Sequence, residues 1–280
     1  MLNKTATIEF MKKQGIQPKK SIGQNFLTDA FVVDKILAAA ELSSADFVIE
    51  IGPGLGALTA DIAKKAGKLT AIELDTRLIP ILQESLGGFS NFDIINADVL
   101  KVDIGAIIEN SGYSCAKIIA NLPYYITTPI IFHILEKGLA AECLVLMMQK
   151  EVASRIMAKP GTKDYGLLTL SVAYYSECHL IANVPPNAFL PRPDVQSAVV
   201  KLLPLPPRQI DRDIFFKITK AAFSNRRKTL ENCLSTGLSL PKEQARELIA
   251  KSELRPDIRG EALNFAQFEN LACNYLRLVL

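Results

Sequence analysis

The first half of the chain alternates short β-favouring runs with stretches of helical period. Residues 47–51 (FVIEI), 69–73, 92–96, 117–120 and 143–147 read as strands. Helical runs follow the glycine-rich segment 52–56 to about residue 66 and recur over 77–86 and 130–137. Before the last of these, Thr128-Pro129 supplies a cap and a proline at the first helical position. Strands that are apolar over most of their length, with helices between them, predict a parallel sheet covered on both faces. Runs at 178–182 and 197–203 predict a hairpin added at the sheet edge. Pro204-Leu205-Pro206-Pro207 can continue neither a helix nor a central strand. Beyond it the period is helical, over 214–223, 228–234, 242–251 and 265–278. The pattern therefore predicts an α/β domain over residues 1–204 and a small all-helical domain over 205–280.

A chain of 280 residues can bury a core without staples. Its 49% hydrophobic and 22% charged content exclude disorder and coiled coil. The most apolar stretch, 118–135, is broken by Asn121, Pro123, Thr127, Thr128 and Pro129, which argues against a membrane span. The N-terminus has lysines but neither an apolar core nor arginine, so no secretory or mitochondrial leader is expected. The cysteines (115, 143, 178, 233 and 273) form no C-x-x-C pair, and only two histidines, His133 and His179, accompany them. No metal site is expected from that set, and the cysteines read as reduced thiols of a cytoplasmic protein.

The net charge of +3 is unevenly placed. Residues 201–280 carry 14 Lys/Arg against 9 Asp/Glu, a net of +5, whereas residues 1–200 carry 18 against 20, a net of −2. Within the latter, residues 1–20 hold five lysines and one glutamate. Basic ends around a slightly acidic middle suggest a catalytic body flanked by surfaces that contact a polyanion.

Glu50-Ile-Gly52-Pro-Gly54-Leu-Gly56-Ala57 follows a strand and opens a helix. Its glycines permit a tight turn and a close approach of backbone N–H groups to a ligand. Glu73, at the end of the second strand, is placed to accept both hydroxyls of a ribose. Gly52, Gly54 and Ala57 also satisfy the dinucleotide pattern G-x-G-x-x-A, so the loop alone does not decide between NAD and S-adenosylmethionine. Two further strand ends decide it. Asp98 ends the third strand, where a carboxylate can accept from an adenine amino group. Asn121-Leu122-Pro123-Tyr124 ends the fourth, and none of these groups titrates near neutrality as a hydride site would need.

That tetrapeptide suits transfer to an exocyclic adenine amine, a poor nucleophile because its lone pair is delocalised into the ring. Acceptors aimed at its two N–H bonds favour rehybridisation and stabilise the developing positive charge. The Asn121 side-chain oxygen and the Leu122 carbonyl can supply them, Pro123 fixes their direction, and Tyr124 can stack on the base.

Together these motifs resemble the ribosomal RNA adenine N6,N6-dimethyltransferase family, most closely its bacterial small-subunit branch. Lys19-Lys20-Ser-Ile-Gly23-Gln24-Asn25-Phe26-Leu27 is similar to the family's N-terminal signature. Residues 50–59, Glu73-Leu-Asp75, Asn96-Ala-Asp98 and Asn121-Leu-Pro-Tyr124 match its successive motifs, and residues 189–199 and 223–230 its late signatures. The resemblance implies a Rossmann-like S-adenosylmethionine-dependent methyltransferase domain followed by a small C-terminal all-helical domain. It implies that Asn25 and Leu27 contact the cofactor, with Gly52 at the loop, Glu73 on the ribose, Asp98 on the adenine and Asn121 between cofactor and target. It implies dimethylation of two adjacent adenosines in a hairpin near the 3′ end of small-subunit rRNA, met on an assembly intermediate, with S-adenosylhomocysteine as product. Tyr125 stands where many relatives have asparagine, at the pocket wall.

Phe189, before Pro191-Arg192-Pro193, reads as a second stacking face for the flipped base or as core. Arg226, Arg227 and Lys228 form the densest basic cluster of the helical region, and Lys19 and Lys20, with Lys12 and Lys13, a second one. With Arg192 these are the candidate RNA contacts. Tyr165, Tyr174 and Tyr175 read as packing residues. A monomer is expected. A large-subunit rRNA methyltransferase of the antibiotic-resistance type shares the catalytic motifs, and a mainly non-catalytic ribosome-assembly factor shares the RNA-binding features.

Overall fold

The computed structural model describes residues 3–279, with the side chains of Lys20 and Val279 outside the description. In chain order its strands are β1 (Phe26–Leu27), β2 (Phe47–Ile51), β3 (Lys68–Glu73), β4 (Phe92–Asn96), β5 (Ala116–Asn121), β6 (Ala141–Gln149), β7 (Ser176–Val184), β8 (Phe189–Leu190) and β9 (Ser197–Pro204). The helices are α1 (Lys4–Lys13), α2 (Ala30–Ala40), α3 (Thr59–Lys65), α4 (Ile79–Leu86), α5 (Ile104–Glu109), α6 (Thr127–Leu135), α7 (Lys150–Ile156), α8 (Leu167–Tyr175), α9 (Arg212–Ala222), α10 (Leu230–Gly237), α11 (Lys242–Lys251) and α12 (Phe265–Val279).

The chain divides into two compact units. One holds residues 1–153 and 177–204, the other residues 154–176 and 205–280. Reading the boundary from the proline cluster assigned 154–176 to the α/β part. Those residues instead pack with the helices: Tyr165, Leu170 and Tyr174 share one apolar cluster with Phe215, Leu230, Leu248 and Phe268. The Tyr165 and Tyr174 hydroxyls donate to the carbonyls of Leu263 (2.6 Å) and Ile210 (2.9 Å), so each ring is buried without an orphaned hydroxyl. The signal for this excursion was weak, because 154–176 carries neither a strand pattern nor a strong amphipathic face.

In the first unit a seven-stranded sheet runs in the order β4-β3-β2-β5-β6-β9-β7. β2 pairs in parallel with β3 on one side and β5 on the other; β4 and β6 extend the parallel set outward. β9 joins β6 antiparallel, and β7 lies outside it at the edge. All five residues of β2 are buried, as expected for a strand with both faces covered. On one face Val48, Leu69, Ile119 and Val145 pack against Val33, Ile36 and Leu37 of α2 and Ile62 of α3. Each such side chain contributes about 1.5–3 kcal/mol on burial. Asp29 starts α2 by accepting from the N–H groups of Phe31 and Val32.

The two-residue strands β1 and β8 form a separate antiparallel pair, with Phe26 opposite Leu190 and Leu27 opposite Phe189. This pairing, invisible to periodicity because each strand is so short, brings the N-terminal signature onto the carboxyl ends of the parallel strands.

Candidate active site

The strand order reverses between β2 and β5, and a cavity opens at their carboxyl ends, where open α/β sheets bind ligands. Gly52 follows β2 at φ +68° and donates its N–H to the Ile72 carbonyl at 2.9 Å; Gly54 and Gly56 also have positive φ. A Cβ on Gly54 would lie 3.2 Å from Cδ1 of Phe26, so a larger residue would crowd the loop against β1.

Glu73 closes β3 and ties three segments together. Its Oε2 accepts from the Gly54 N–H at 3.1 Å and its Oε1 from the Asp75 N–H at 2.7 Å. Its carbonyl accepts from the Asn96 amide (2.8 Å) and the Ala97 N–H (3.1 Å) at the end of β4. Burial pushes its carboxyl above the usual range, against the pull of those donors. Asp98, just beyond β4, accepts from the Leu100 N–H at 3.1 Å and so caps the short turn that shapes the cavity floor.

Asn121 ends β5 beside the glycine loop. Its amide nitrogen donates to the Asn25 carbonyl at 3.1 Å, which turns the amide oxygen the other way. Leu122 donates its N–H to the Met147 carbonyl (2.9 Å), and the Pro123 carbonyl accepts from the Thr127 hydroxyl (3.0 Å) at the start of α6. The Tyr124 hydroxyl shares a 2.6 Å hydrogen bond with Ser197 at the start of β9, and burial raises its pKa. The tetrapeptide is thus anchored from both neighbouring segments.

Asn25, Leu27, Gly52, Glu73, Asp98, Asn121, Leu122, Pro123 and Tyr124 all line this one cavity. The sequence reading missed Glu50, whose carboxyl is fully buried in the cavity wall with Oε2 lacking any hydrogen-bond partner. Burial pushes it up to about 8, and the neighbouring Glu73 charge adds to the rise. A lone acid inside the apolar run FVIEI was the available signal. Ser197 was missed because only its pairing with Tyr124 gives it a task.

The candidate RNA contacts are distributed differently. Arg192, Arg227 and Lys228 are exposed, as are Lys12 and Lys13. Arg226 is partly committed within the helical unit, donating to the carbonyls of Lys163 (2.7 Å) and Tyr165 (2.8 Å) and pairing with Glu261 (3.2 Å). Lys19 pairs with Asp75 at 3.0 Å, and the side chain of Lys20 lies outside the described residues. Phe189 is fully buried among Leu27, Val184 and Val199, a packing position that leaves no ring face for a base. No group of His, Cys, Asp and Glu among the described residues can hold a metal ion, and no described helix is long and apolar enough to cross a membrane.

The model of the ribosomal RNA adenine dimethylase family matches residues 15–272. The chain belongs to that family. It is 47% identical over 274 residues to the ribosomal RNA small subunit methyltransferase A of Alkaliphilus oremlandii, covering 96% of this chain and 95% of that one. Among solved structures it is similar to a dimethyladenosine transferase from Plasmodium falciparum, at TM-score 0.77 and 26% identity over 91% of this chain and 98% of the other. It is also similar to the 23S rRNA methyltransferase ErmE, at TM-score 0.70 and 25% identity over 89% and 99%. As a ribosomal RNA adenine dimethylase family member the chain is a methyltransferase, and the nicotinamide reading of the glycine loop is set aside.

The cavity fits the S-adenosylmethionine that the family uses. Its wall carries the carboxyls of Glu73 and Asp98, together with a Glu50 that keeps its proton, and among the described residues no Lys, Arg or His. The Gly54 N–H, which a diphosphate would need, is already taken by Glu73. An acidic, partly apolar cavity suits a cationic nucleoside better than a dinucleotide.

Proposed function

We propose that the chain transfers methyl groups from S-adenosylmethionine to N6 of two adjacent adenosines in the 3′-terminal hairpin of small-subunit rRNA. The products are N6,N6-dimethyladenosine and S-adenosylhomocysteine. The observation that carries the reading is Asn121: its amide nitrogen is engaged by Asn25, which leaves its oxygen to face the cavity as an acceptor.

Bound in the cavity, S-adenosylmethionine supplies an electrophilic methyl group. Glu73 would accept the ribose hydroxyls and Asp98 would accept from the adenine amine, with Asn25, Leu27 and Gly52 completing the walls that would hold the cofactor. The Asn121 oxygen and the Leu122 carbonyl accept the two N6 hydrogens of the target, which raises the lone pair and stabilises the cation formed on transfer. Tyr124, its hydroxyl held by Ser197, offers its face to the flipped base, a contact worth roughly 1–3 kcal/mol. The proton leaves after methyl transfer, so no general base of matched pKa is needed. Arg192, Arg227, Lys228, Lys12 and Lys13 are the exposed candidates for phosphate contacts on a small-subunit assembly intermediate. A cytoplasmic monomer suits that task.

The curated relative named above favours the small-subunit substrate over the large-subunit alternative, being nearly twice as identical to this chain as ErmE is. The test is incubation with methyl-labelled S-adenosylmethionine and unmethylated small or large ribosomal subunits. Label is expected in small-subunit RNA alone. Label in the large subunit would move the substrate assignment to the resistance-type branch, and binding of cofactor with no label in either would favour the assembly-factor reading.

A further inference from the structure

Asp75 is an ion-pair hub that the proposed chemistry does not use. Its side chain is fully buried and is reached by Lys19 Nζ at 3.0 Å, Gln24 Nε2 at 2.9 Å, and Arg77 Nε and Nη2 at 3.0 and 2.6 Å. Arg77 also donates to the Gln17 carbonyl at 3.3 Å, and Gln24 Oε1 accepts from the Lys19 N–H at 2.8 Å. The Arg77 guanidinium, ahead of the Lys19 and Gln24 donors, holds the Asp75 carboxyl well below the usual range despite its burial. Residues 17–24 are therefore laced to the end of β3, immediately beyond Glu73, and the next residue, Asn25, carries the carbonyl that receives the Asn121 amide.

We infer that Asp75, acting through Gln24 and Asn25, is a positioning residue for Asn121. A primary amide has two nearly isosteric ends, and only one serves the reaction. With the Asn25 carbonyl in place the Asn121 nitrogen is satisfied there and the oxygen faces the target amine. Without it, rotation by half a turn presents N–H to N–H, which repels the substrate and removes an acceptor from the transition state. The clamp holds that carbonyl still by joining the segment that carries it to the strand end that carries Glu73. It also gives Lys19 a task inside the methyltransferase unit.

This rests on the role proposed above for Asn121, and the test separates the two. Methyl transfer to small-subunit RNA is measured at saturating S-adenosylmethionine for Asp75→Asn and Gln24→Met, each in the native background and in Asn121→Ser. The serine keeps an acceptor but has no amide to orient. In the native background each variant is expected to lower kcat by about tenfold or more, with the cofactor KM moving far less, as misplacement of a reacting group does. In the Asn121→Ser background the same changes are expected to cost nothing further. Equal losses in both backgrounds, or an unchanged kcat in Gln24→Met, would overturn the clamp while leaving the Asn121 assignment intact. Should Asp75→Asn fail to fold, Gln24→Met alone decides, since it removes the bridge and leaves both ion pairs. Loss of activity in Asn121→Ser no larger than in an unrelated surface variant would instead strike the Asn121 reading itself.

Discussion

At the scale of single residues, burial pushes two acids near the carboxyl ends of adjacent strands upward, but they meet different donors. Glu73 receives two backbone N–H groups, whereas Glu50 Oε2 receives none. The folded protein therefore keeps a proton on Glu50 between the carboxyl's ordinary 4.5 and about 8, a window in which the unfolded chain has released it. Stability then falls as pH rises through that window, by about 1 kcal/mol per pH unit from this one group. Urea midpoints measured from pH 5.5 to 8.5 are expected to show this decline, and Glu50→Gln to flatten it; an unchanged slope in the variant would mean that Glu50 is already ionised. That Asn121, Glu73 and Asp98 gather around one cavity was legible in the sequence because each sits where a parallel strand stops. Glu50 was passed over because, within a strand expected to be covered on both faces, the sequence shows neither that its carboxyl reaches the cavity wall nor that Oε2 finds no donor there.

Among elements, the glycine loop and β1 constrain one another. Gly54 sits at φ +60° with the Phe26 ring 3.2 Å from where a Cβ would be. Gly54→Ala is expected to destabilise the fold by about 1–2 kcal/mol through left-handed strain, with crowding against β1 in addition. Chemical denaturation measures this, and an unchanged midpoint would mean that the loop relaxes freely. Strands β2 to β6 were readable because they are long, apolar and separated by helical runs. The pair β1 with β8 was not, since a two-residue strand has no period and its partner lies more than 160 residues away. α2 was likewise unread, although Asp29 marks its start. The segment 154–176 looked like a continuation of the sheet domain, and its tyrosines reveal their place only through the cluster they join.

For the whole molecule, the charge asymmetry of the sequence becomes a question of which cations remain at the surface. Arg226 is spent partly on carbonyls and Glu261, so a triple substitution of 226–228 would confuse folding with binding. Replacing Arg227 and Lys228 alone is expected to weaken small-subunit RNA binding and to reduce the slope of log affinity against log salt by roughly 1–2. A fluorescence titration across salt concentrations reads this, and an unaltered slope would place the patch outside the interface. The most direct test of the account is nucleoside analysis of small-subunit RNA after reaction with the wild-type protein and with Asn121→Ala, alongside calorimetric binding of the cofactor to both. The prediction is N6,N6-dimethyladenosine from the wild type and almost none from Asn121→Ala, with the cofactor still bound by each. Near-normal dimethyladenosine from Asn121→Ala would contradict it, because the acceptor at the end of β5 would then not be what activates the amine.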